Sequence, residues 1–139
     1  MDEQENSLNL TGSWQGQYSY GGGRNKAPVP FSAKINENDS WLDGVVEEVG
    51  TAGDAKGLTI SASIQGRRTG RAVTWIKIYH GTYRLYDSVQ YGGEVSADGK
   101  EIEGQWQIRP GVIGRFMMVR QGGKTALRRK KVSVKLPAG

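Results

Sequence analysis

The sequence predicts an all-β protein, folded as an eight-stranded antiparallel up-and-down meander barrel. Eight short runs alternate apolar and polar residues, turn residues separate the runs, and helical periodicity is almost absent. A meander of eight strands can close into a barrel, which removes the two exposed edges of an open sheet. An open two-sheet sandwich is the alternative that the same pattern allows.

The two ends of the strand pattern strengthen the prediction of a barrel. Gly12 and Trp14 form a Gly-x-Trp sequence on the first run, and Arg120 ends the eighth run. We expect the guanidinium of Arg120 to pack over the indole of Trp14, a contact that contributes about 0.5–2 kcal/mol. The alternative is that Arg120 only begins a basic tail.

The runs alternate, with apolar residues on one face, and the third and fifth runs are the exceptions described below. Glycine, asparagine, aspartate and proline mark the turns between runs, and Asp98-Gly99 is the strongest hairpin signal. Residues 66–70 are interpreted as a basic turn, which makes Arg67 and Arg68 ordinary surface charges. The runs lie near residues 9–20, 28–36, 40–49, 57–65, 71–80, 88–96, 100–109 and 112–120.

The third run is the least regular. Trp41, Val45 and Val49 share one face with Asp43 and Glu47. If that face points inward, Asp43 and Glu47 are candidate acid–base residues, because paired carboxylates catalyse proton transfer when their pKa values separate. The simpler alternative is a bulge that leaves both carboxylates in solvent.

The fifth run, from Ala72 to Tyr79, is apolar on both faces and rich in β-branched and aromatic residues. Val73, Trp75, Lys77 and Tyr79 share one face, and the alternate residues share the other. Either face can point inward. We expect the opposite face to contact a second copy of the chain, and a dimer is the commonest closed assembly.

Length and charge indicate one barrel domain, residues 9–120, between a disordered acidic leader, 1–8, and a basic C-terminal tail, 121–139. The net charge is +5, but every acidic residue precedes residue 121 and six basic residues follow it. Binding to nucleic acid or an anionic surface is therefore expected only through the tail, which is expected to be disordered.

The composition excludes several kinds of chemistry. The chain has no cysteine and a single histidine, His80, which rules out disulfides, cysteine nucleophiles and typical zinc sites. No cofactor is expected, because nucleotide-binding glycine motifs are absent. The first residues lack the pattern of a secretory signal, and no apolar stretch is long enough to span a bilayer, so a cytoplasmic location is expected.

The predicted interior is rich in aromatic rings, several of them tyrosines whose hydroxyl groups need partners when buried. This favours a ligand cavity or, equally, a completely filled core. The loop after the fifth run is expected to shape the rim of the barrel. The candidate ligand-binding residues are Tyr18, Tyr20, Tyr91, Trp106 and Phe116 in the interior, with Tyr79, His80, Tyr83 and Tyr86 at the rim.

The segment Leu10-Thr11-Gly12-Ser13-Trp14, together with Arg120, resembles the calycin superfamily of lipocalins, fatty-acid-binding proteins and avidins. Lipocalins place a Gly-x-Trp on the first strand in contact with an arginine on the last. The short connections look more like those of avidins, as does the order of Trp75, Tyr91-Gly92-Gly93 and Gln105-Trp106. The resemblance implies an eight-stranded barrel that holds a small ligand.

The biotin site of avidins does not carry over. Gly16 and Tyr20 stand where avidins have Asn and Ser after the first Trp. Val46 and Glu48 fall where avidins have Tyr and Ser, and Arg115 falls near the position of a carboxylate. The resemblance therefore implies the shape of the barrel without its biotin-binding residues.

We expect a binding protein that holds a small apolar or aromatic molecule inside the barrel. One alternative is a metal-free isomerase or cyclase that confines its substrate in the cavity. Another is an oligomeric interaction protein with a filled barrel.

Overall fold

The computed structural model describes residues 8–21, 27–51, 53–81 and 88–121. These residues form a closed antiparallel barrel of eight strands, in which each strand pairs with the next and β8 pairs with β1. The predicted fold class is confirmed, and the open sandwich is excluded. The strands are β1 (Gly12–Tyr20), β2 (Val29–Asn38), β3 (Trp41–Val49), β4 (Thr59–Thr69), β5 (Ala72–Tyr79), β6 (Val89–Val95), β7 (Glu101–Arg109) and β8 (Val112–Arg120).

Residues 1–7 of the predicted leader and 122–139 of the predicted tail lie outside the described residues. A short 3-10 helix, Gly53–Ala55, connects β3 and β4. Within the described ranges, no helix has the length and apolar character needed to cross a membrane.

Side chains that alternate along the strands fill the interior of the barrel. In β2, for example, Val29, Phe31, Ala33 and Ile35 are buried, whereas the residues between them are more exposed. Gly16 on β1 leaves room for the ring of Phe31, because a Cβ atom at this position would lie 2.5 Å from Phe31 Cζ. The interior aromatic groups therefore pack directly against the wall of the barrel.

The two ends of the barrel differ. At one end, which we call the capped end, Asp39-Ser40 and Gly70-Arg71 make tight turns and residues 8–10 pack against the core. At the other, the loop end, longer connections follow β1, β3 and β5. The chain thus presents one end closed by its own N-terminal segment and one end bounded by loops.

The predicted contact between Trp14 and Arg120 is confirmed at the capped end. Arg120 Cζ lies 4.7 Å from the centroid of the Trp14 ring. The guanidinium also donates to the backbone oxygens of Asn9, Thr11 and Gly99 at 2.7–3.1 Å. Arg120 therefore joins the N-terminal segment, the last strand and the turn between β6 and β7.

The prediction that residues 66–70 form a turn was wrong. β4 continues to Thr69, and the turn falls at Gly70, whose φ of +61° favours glycine. Gly66 instead lies inside the strand, where a Cβ atom would come within 1.8 Å of the backbone oxygen of Thr74. The longer strand leaves Arg67 on the surface and buries Arg68.

Arg68 is held by a carboxylate at the capped end. Its guanidinium donates to both oxygens of Glu37 at 2.8–3.0 Å, and both side chains are almost completely buried. Glu37 Oε1 also accepts from the backbone nitrogen of Leu10. This bidentate ion pair joins β2 to β4, and through Leu10 it also holds the N-terminal segment.

Candidate functional site

A second buried ion pair lies near the loop end and is surrounded by tyrosines. Lys77 Nζ donates to Glu48 Oε1 at 3.1 Å, and the two side chains are 3% and 1% exposed. Tyr18 donates to Glu48 Oε2 at 2.6 Å, and Tyr79 donates to Oε1 at 3.1 Å. We call these four residues, together with Tyr91, the Glu48–Lys77 cluster.

The strands bring the cluster together from distant parts of the sequence. Tyr18 and Lys77 each lie two residues before the end of their strand, and Glu48 lies one residue before the end of β3. Because β1, β3 and β5 all finish at the loop end, these side chains meet in the part of the interior nearest that end. The cluster thus stands apart from the capped-end pair of Glu37 and Arg68.

The lysine lies within a cage of aromatic rings. Its Nζ atom is 4.9 Å from the ring centroid of Tyr18, 4.6 Å from that of Tyr79 and 5.3 Å from that of Tyr91. The negative faces of such rings attract a cation, and the attraction is strongest where water is excluded. Glu48 and the rings together replace the hydration that the ammonium group loses.

Burial changes the proton affinities of the cluster. It raises the pKa values of Tyr18, Tyr79 and Tyr91 far above the ordinary value of 10.0, and the negative charge of Glu48 raises them further. Burial also lowers the pKa of Lys77, although Glu48 opposes this effect. The phenols are therefore held as hydrogen-bond donors, and the amine releases its proton more readily than an exposed lysine does.

Aromatic rings line the interior around this cluster. Tyr20 and Trp106 make an edge contact with centroids 5.1 Å apart, and Tyr18 lies 6.0 Å from Trp106. Tyr91 packs edge-on against Phe116 at 4.9 Å. The indole of Trp106 donates to the backbone oxygen of Ser19, which fixes the ring against β1.

A small cavity of about 10 Å³ opens beside Lys77, room for about one water molecule. Its other walls are apolar. Nearer the loop end, Tyr20 and Tyr79 are only partly buried. The residues that line the cavity are Phe31, Ala33, Val46, Ile64, Trp75, Lys77, Tyr91 and Met118.

The structure brings together most of the candidate ligand-binding residues named from the sequence. These are Tyr18, Tyr20, Tyr79, Tyr91, Trp106 and Phe116, all of which belong to or pack against the core. His80 is instead exposed, and its Nε2 atom lies 2.6 Å from Ser63 Oγ. Tyr83 and Tyr86 lie outside the described residues.

The inward orientation considered for Asp43 and Glu47 is not the one found. Both side chains are on the exposed outer face of β3, and Glu47 lines a surface depression of about 270 Å³. The strand places Leu42, Val46 and Glu48 inward instead. No bulge is needed, since β3 pairs with both neighbours without a shift in register.

Glu48 is the functional candidate that the sequence interpretation missed. Glu48 follows another glutamate, on a strand that carries apolar residues on both faces. The sequence pattern therefore gave no reason to place Glu48 inside the barrel. The one available signal was position, because Glu48 falls where the avidin resemblance places a ligand-binding side chain. Lys77 was assigned to one of two possible inward faces of β5, and the structure selects that face.

The described residues hold no group of three or more histidine, aspartate or glutamate side chains arranged to bind a metal ion. Searches of family models and of curated proteins found no match to the chain. The geometry of the barrel and of its interior groups therefore carries the functional argument.

Proposed function

We propose that the chain is a calycin-type binding protein for a small apolar or aromatic molecule, which is held above the Glu48–Lys77 cluster at the loop end. The observation that carries the proposal is the burial of this cluster among aromatic rings near the loop end. Each buried ion loses several kcal/mol of hydration, and apolar residues of similar volume often fill such a space with equal or greater stability. A ligand-binding role accounts for polar groups in this position.

The donors and acceptors of the cluster suit a ligand with a polar group on an apolar body. Tyr20, Tyr79 and Trp106 offer ring surfaces toward the loop end, and the cluster beneath them offers an ammonium group and a carboxylate. Sites of this kind are mostly apolar, with a few polar groups that fix the orientation of the ligand. Below the cluster, the cavity beside Lys77 has room for about one water molecule, which limits how deeply the ligand enters.

Native mass spectrometry of the full chain, purified from its host, tests the proposal. We expect a small molecule that stays bound under gentle conditions and is released on denaturation. The mass of that molecule then identifies candidates for binding assays with purified compound. A chain that carries no molecule, and whose fluorescence responds to no apolar or aromatic compound, would contradict the proposal.

Tryptophan variants locate the site. Trp106 lies beside the proposed ligand, whereas Trp41 is 59% exposed on the outside of β3. We expect Trp106→Phe to remove most of the fluorescence change on ligand binding and Trp41→Phe to leave it intact. The reverse pattern would place the ligand outside the barrel.

A second proposal concerns a homodimer through the outer face of β3, β4 and β5. Val45 pairs with Ser63, and Ser63 pairs with Ile78, so the two exposed apolar side chains lie on either side of one serine. Trp41 and Val49 extend this surface along β3, where the exposed carboxylates of Asp43 and Glu47 alternate with them, and the four apolar residues are 47–59% exposed. Exposed apolar side chains grouped on one face commonly mark sites of association.

A matched pair of variants tests the dimer. Ile78→Asp adds a charge to the proposed interface, whereas Ile113→Asp changes an equally exposed isoleucine on β8. We expect sedimentation to show a dimer for the original chain and for Ile113→Asp, and a monomer for Ile78→Asp. A monomeric original chain would overturn this proposal and leave the ligand-binding proposal unchanged.

A further inference from the structure

The amine of Lys77 lies at the wall of an apolar cavity instead of facing solvent. The residue is 2% exposed, and its Nζ atom donates to one carboxylate oxygen of Glu48. Apart from Lys77, aromatic and aliphatic side chains line the cavity beside it. An amine in such surroundings is a potential nucleophile, because desolvation favours its neutral form.

Glu48 keeps hydrogen-bond donors when Lys77 loses its charge. Tyr18 donates to one of its oxygens and Tyr79 to the other. The carboxylate is therefore still hydrogen-bonded on both oxygens after the amine has lost its proton. By contrast, Glu37 at the capped end receives most of its hydrogen bonds from Arg68, which cannot give up a proton under ordinary conditions.

We propose that Lys77 forms an imine with the carbonyl group of the ligand and that the preferred ligand is an aldehyde on an apolar or aromatic body. This inference rests on the proposed ligand-binding function and deepens it by naming the reactive group. The cavity on the core side of Nζ has room for about one water molecule, so it suits the carbonyl oxygen alone. The body of the ligand approaches Nζ from the loop end, past the partly buried ring of Tyr79, which lies 4.6 Å from Nζ.

The proposed reaction is balanced without an oxidant or a reductant. Lys77 first gives its extra proton to solvent by way of Glu48, and the nitrogen lone pair attacks the carbonyl carbon. A carbon–nitrogen bond forms, the two remaining protons of the nitrogen pass to the carbonyl oxygen, and the carbon–oxygen bond breaks. The oxygen leaves as water, giving a neutral imine. Tyr79 and Glu48 lie where they can carry protons to the departing oxygen, since the phenol already donates to the carboxylate.

Reductive trapping on the full chain tests the inference. The protein is incubated with 4-hydroxybenzaldehyde and cyanoborohydride at neutral pH, and labelled lysines are identified by peptide mass spectrometry. We expect Lys77 to be labelled about tenfold faster than exposed Lys34 and Lys56, although it is 2% exposed. Labelling of the exposed lysines without Lys77 would overturn the inference.

Two variants and a denatured control separate reactivity from simple accessibility. Lys77→Arg keeps the positive charge and cannot form an imine, so the rapid labelling should disappear. Glu48→Gln should slow labelling at Lys77 and shift its pH profile without changing Lys34. In concentrated urea all lysines should react at similar rates, and a persistent preference for Lys77 would show that the fold is not responsible.

Native mass spectrometry without the reductant separates failure of this inference from failure of the proposed function. A complex whose mass is one water lower than the sum of protein and aldehyde supports the imine. A complex with the full summed mass preserves the ligand-binding proposal and overturns the imine. No complex with this aldehyde or with any other apolar or aromatic compound would count against both.

Discussion

Glu37 at the capped end pairs with Arg68, and Glu48 near the loop end pairs with Lys77, so the described part of the barrel buries two ion pairs of different construction. Arg68 donates three hydrogen bonds to Glu37, and the same carboxylate accepts a fourth from the backbone nitrogen of Leu10. Lys77 donates one hydrogen bond to Glu48, and the hydroxyl groups of Tyr18 and Tyr79 each donate one to the same carboxylate.

The difference distinguishes a structural pair from a candidate site. The Arg68 guanidinium is planar, always charged and committed to one geometry, which suits the joining of chain segments. The Lys77 amine has a lowered pKa and lies beside a cavity, while its partner retains other donors.

High pH should destabilise the whole barrel through the loop-end cluster, whereas the Arg68 guanidinium at the capped end keeps its charge in this range. Unfolded tyrosines lose their protons near pH 10, whereas burial raises the pKa values of Tyr18, Tyr79 and Tyr91 in the barrel. The unfolded state therefore binds fewer protons above pH 10, and stability falls by about 1.4 kcal/mol per pH unit for each such tyrosine.

Ultraviolet absorbance of tyrosinate, followed together with circular dichroism, measures this effect. We expect the buried tyrosines to ionise only as the barrel unfolds, between about pH 10 and 12. Tyr18→Phe should make the decline in stability less steep. Ionisation of every tyrosine near pH 10 in a barrel that stays folded would contradict the burial of the cluster.

Arg68→Met should cost about 3–5 kcal/mol of stability, because it leaves the Glu37 carboxylate buried without its cation. Denaturation by urea measures the loss. Arg67→Met is the matched control. Arg67 is the next residue in the sequence, but its guanidinium lies on the surface, 4.6 Å from the centroid of the Trp41 ring. We expect the control to lose less than about 1 kcal/mol, and equal losses would contradict the structural role of Arg68.

Lys77→Met should cost less, about 1–3 kcal/mol, because Glu48 keeps the hydroxyl groups of Tyr18 and Tyr79. The same urea experiment gives the value. A loss of stability as large as that of Arg68→Met would show that the Glu48–Lys77 pair also has a structural role, which would count against a ligand site there.

The barrel itself could be predicted from the sequence because its signals are local. Alternation in β1 and β2 and the turn at Asp98-Gly99 agreed on one architecture. Most interior aromatic residues followed from the same alternation. These patterns depend on residues a few positions apart, which sequence analysis can compare directly.

The two ion pairs could not be predicted, because their partners are about 30 positions apart and each residue looks ordinary alone. Arg68 follows another arginine in a glycine-flanked stretch that resembles a turn. Glu48 lies on a strand with apolar residues on both faces, so hydrophobicity did not determine which face is buried. Only the closed barrel shows that each charge has a partner across the interior.

The pairing of β1 with β8 has a consequence during protein synthesis. Trp14 lies opposite Arg120, and Arg120 donates to the backbone of Asn9, 111 residues earlier in the chain. While the chain emerges from the ribosome, β1 therefore has no permanent neighbour on one side until the last strand is complete. The partly made sheet exposes unpaired backbone groups that can capture another nascent chain. The edge of β1 therefore stays open to pairing with another chain until β8 has left the ribosome and paired with β1.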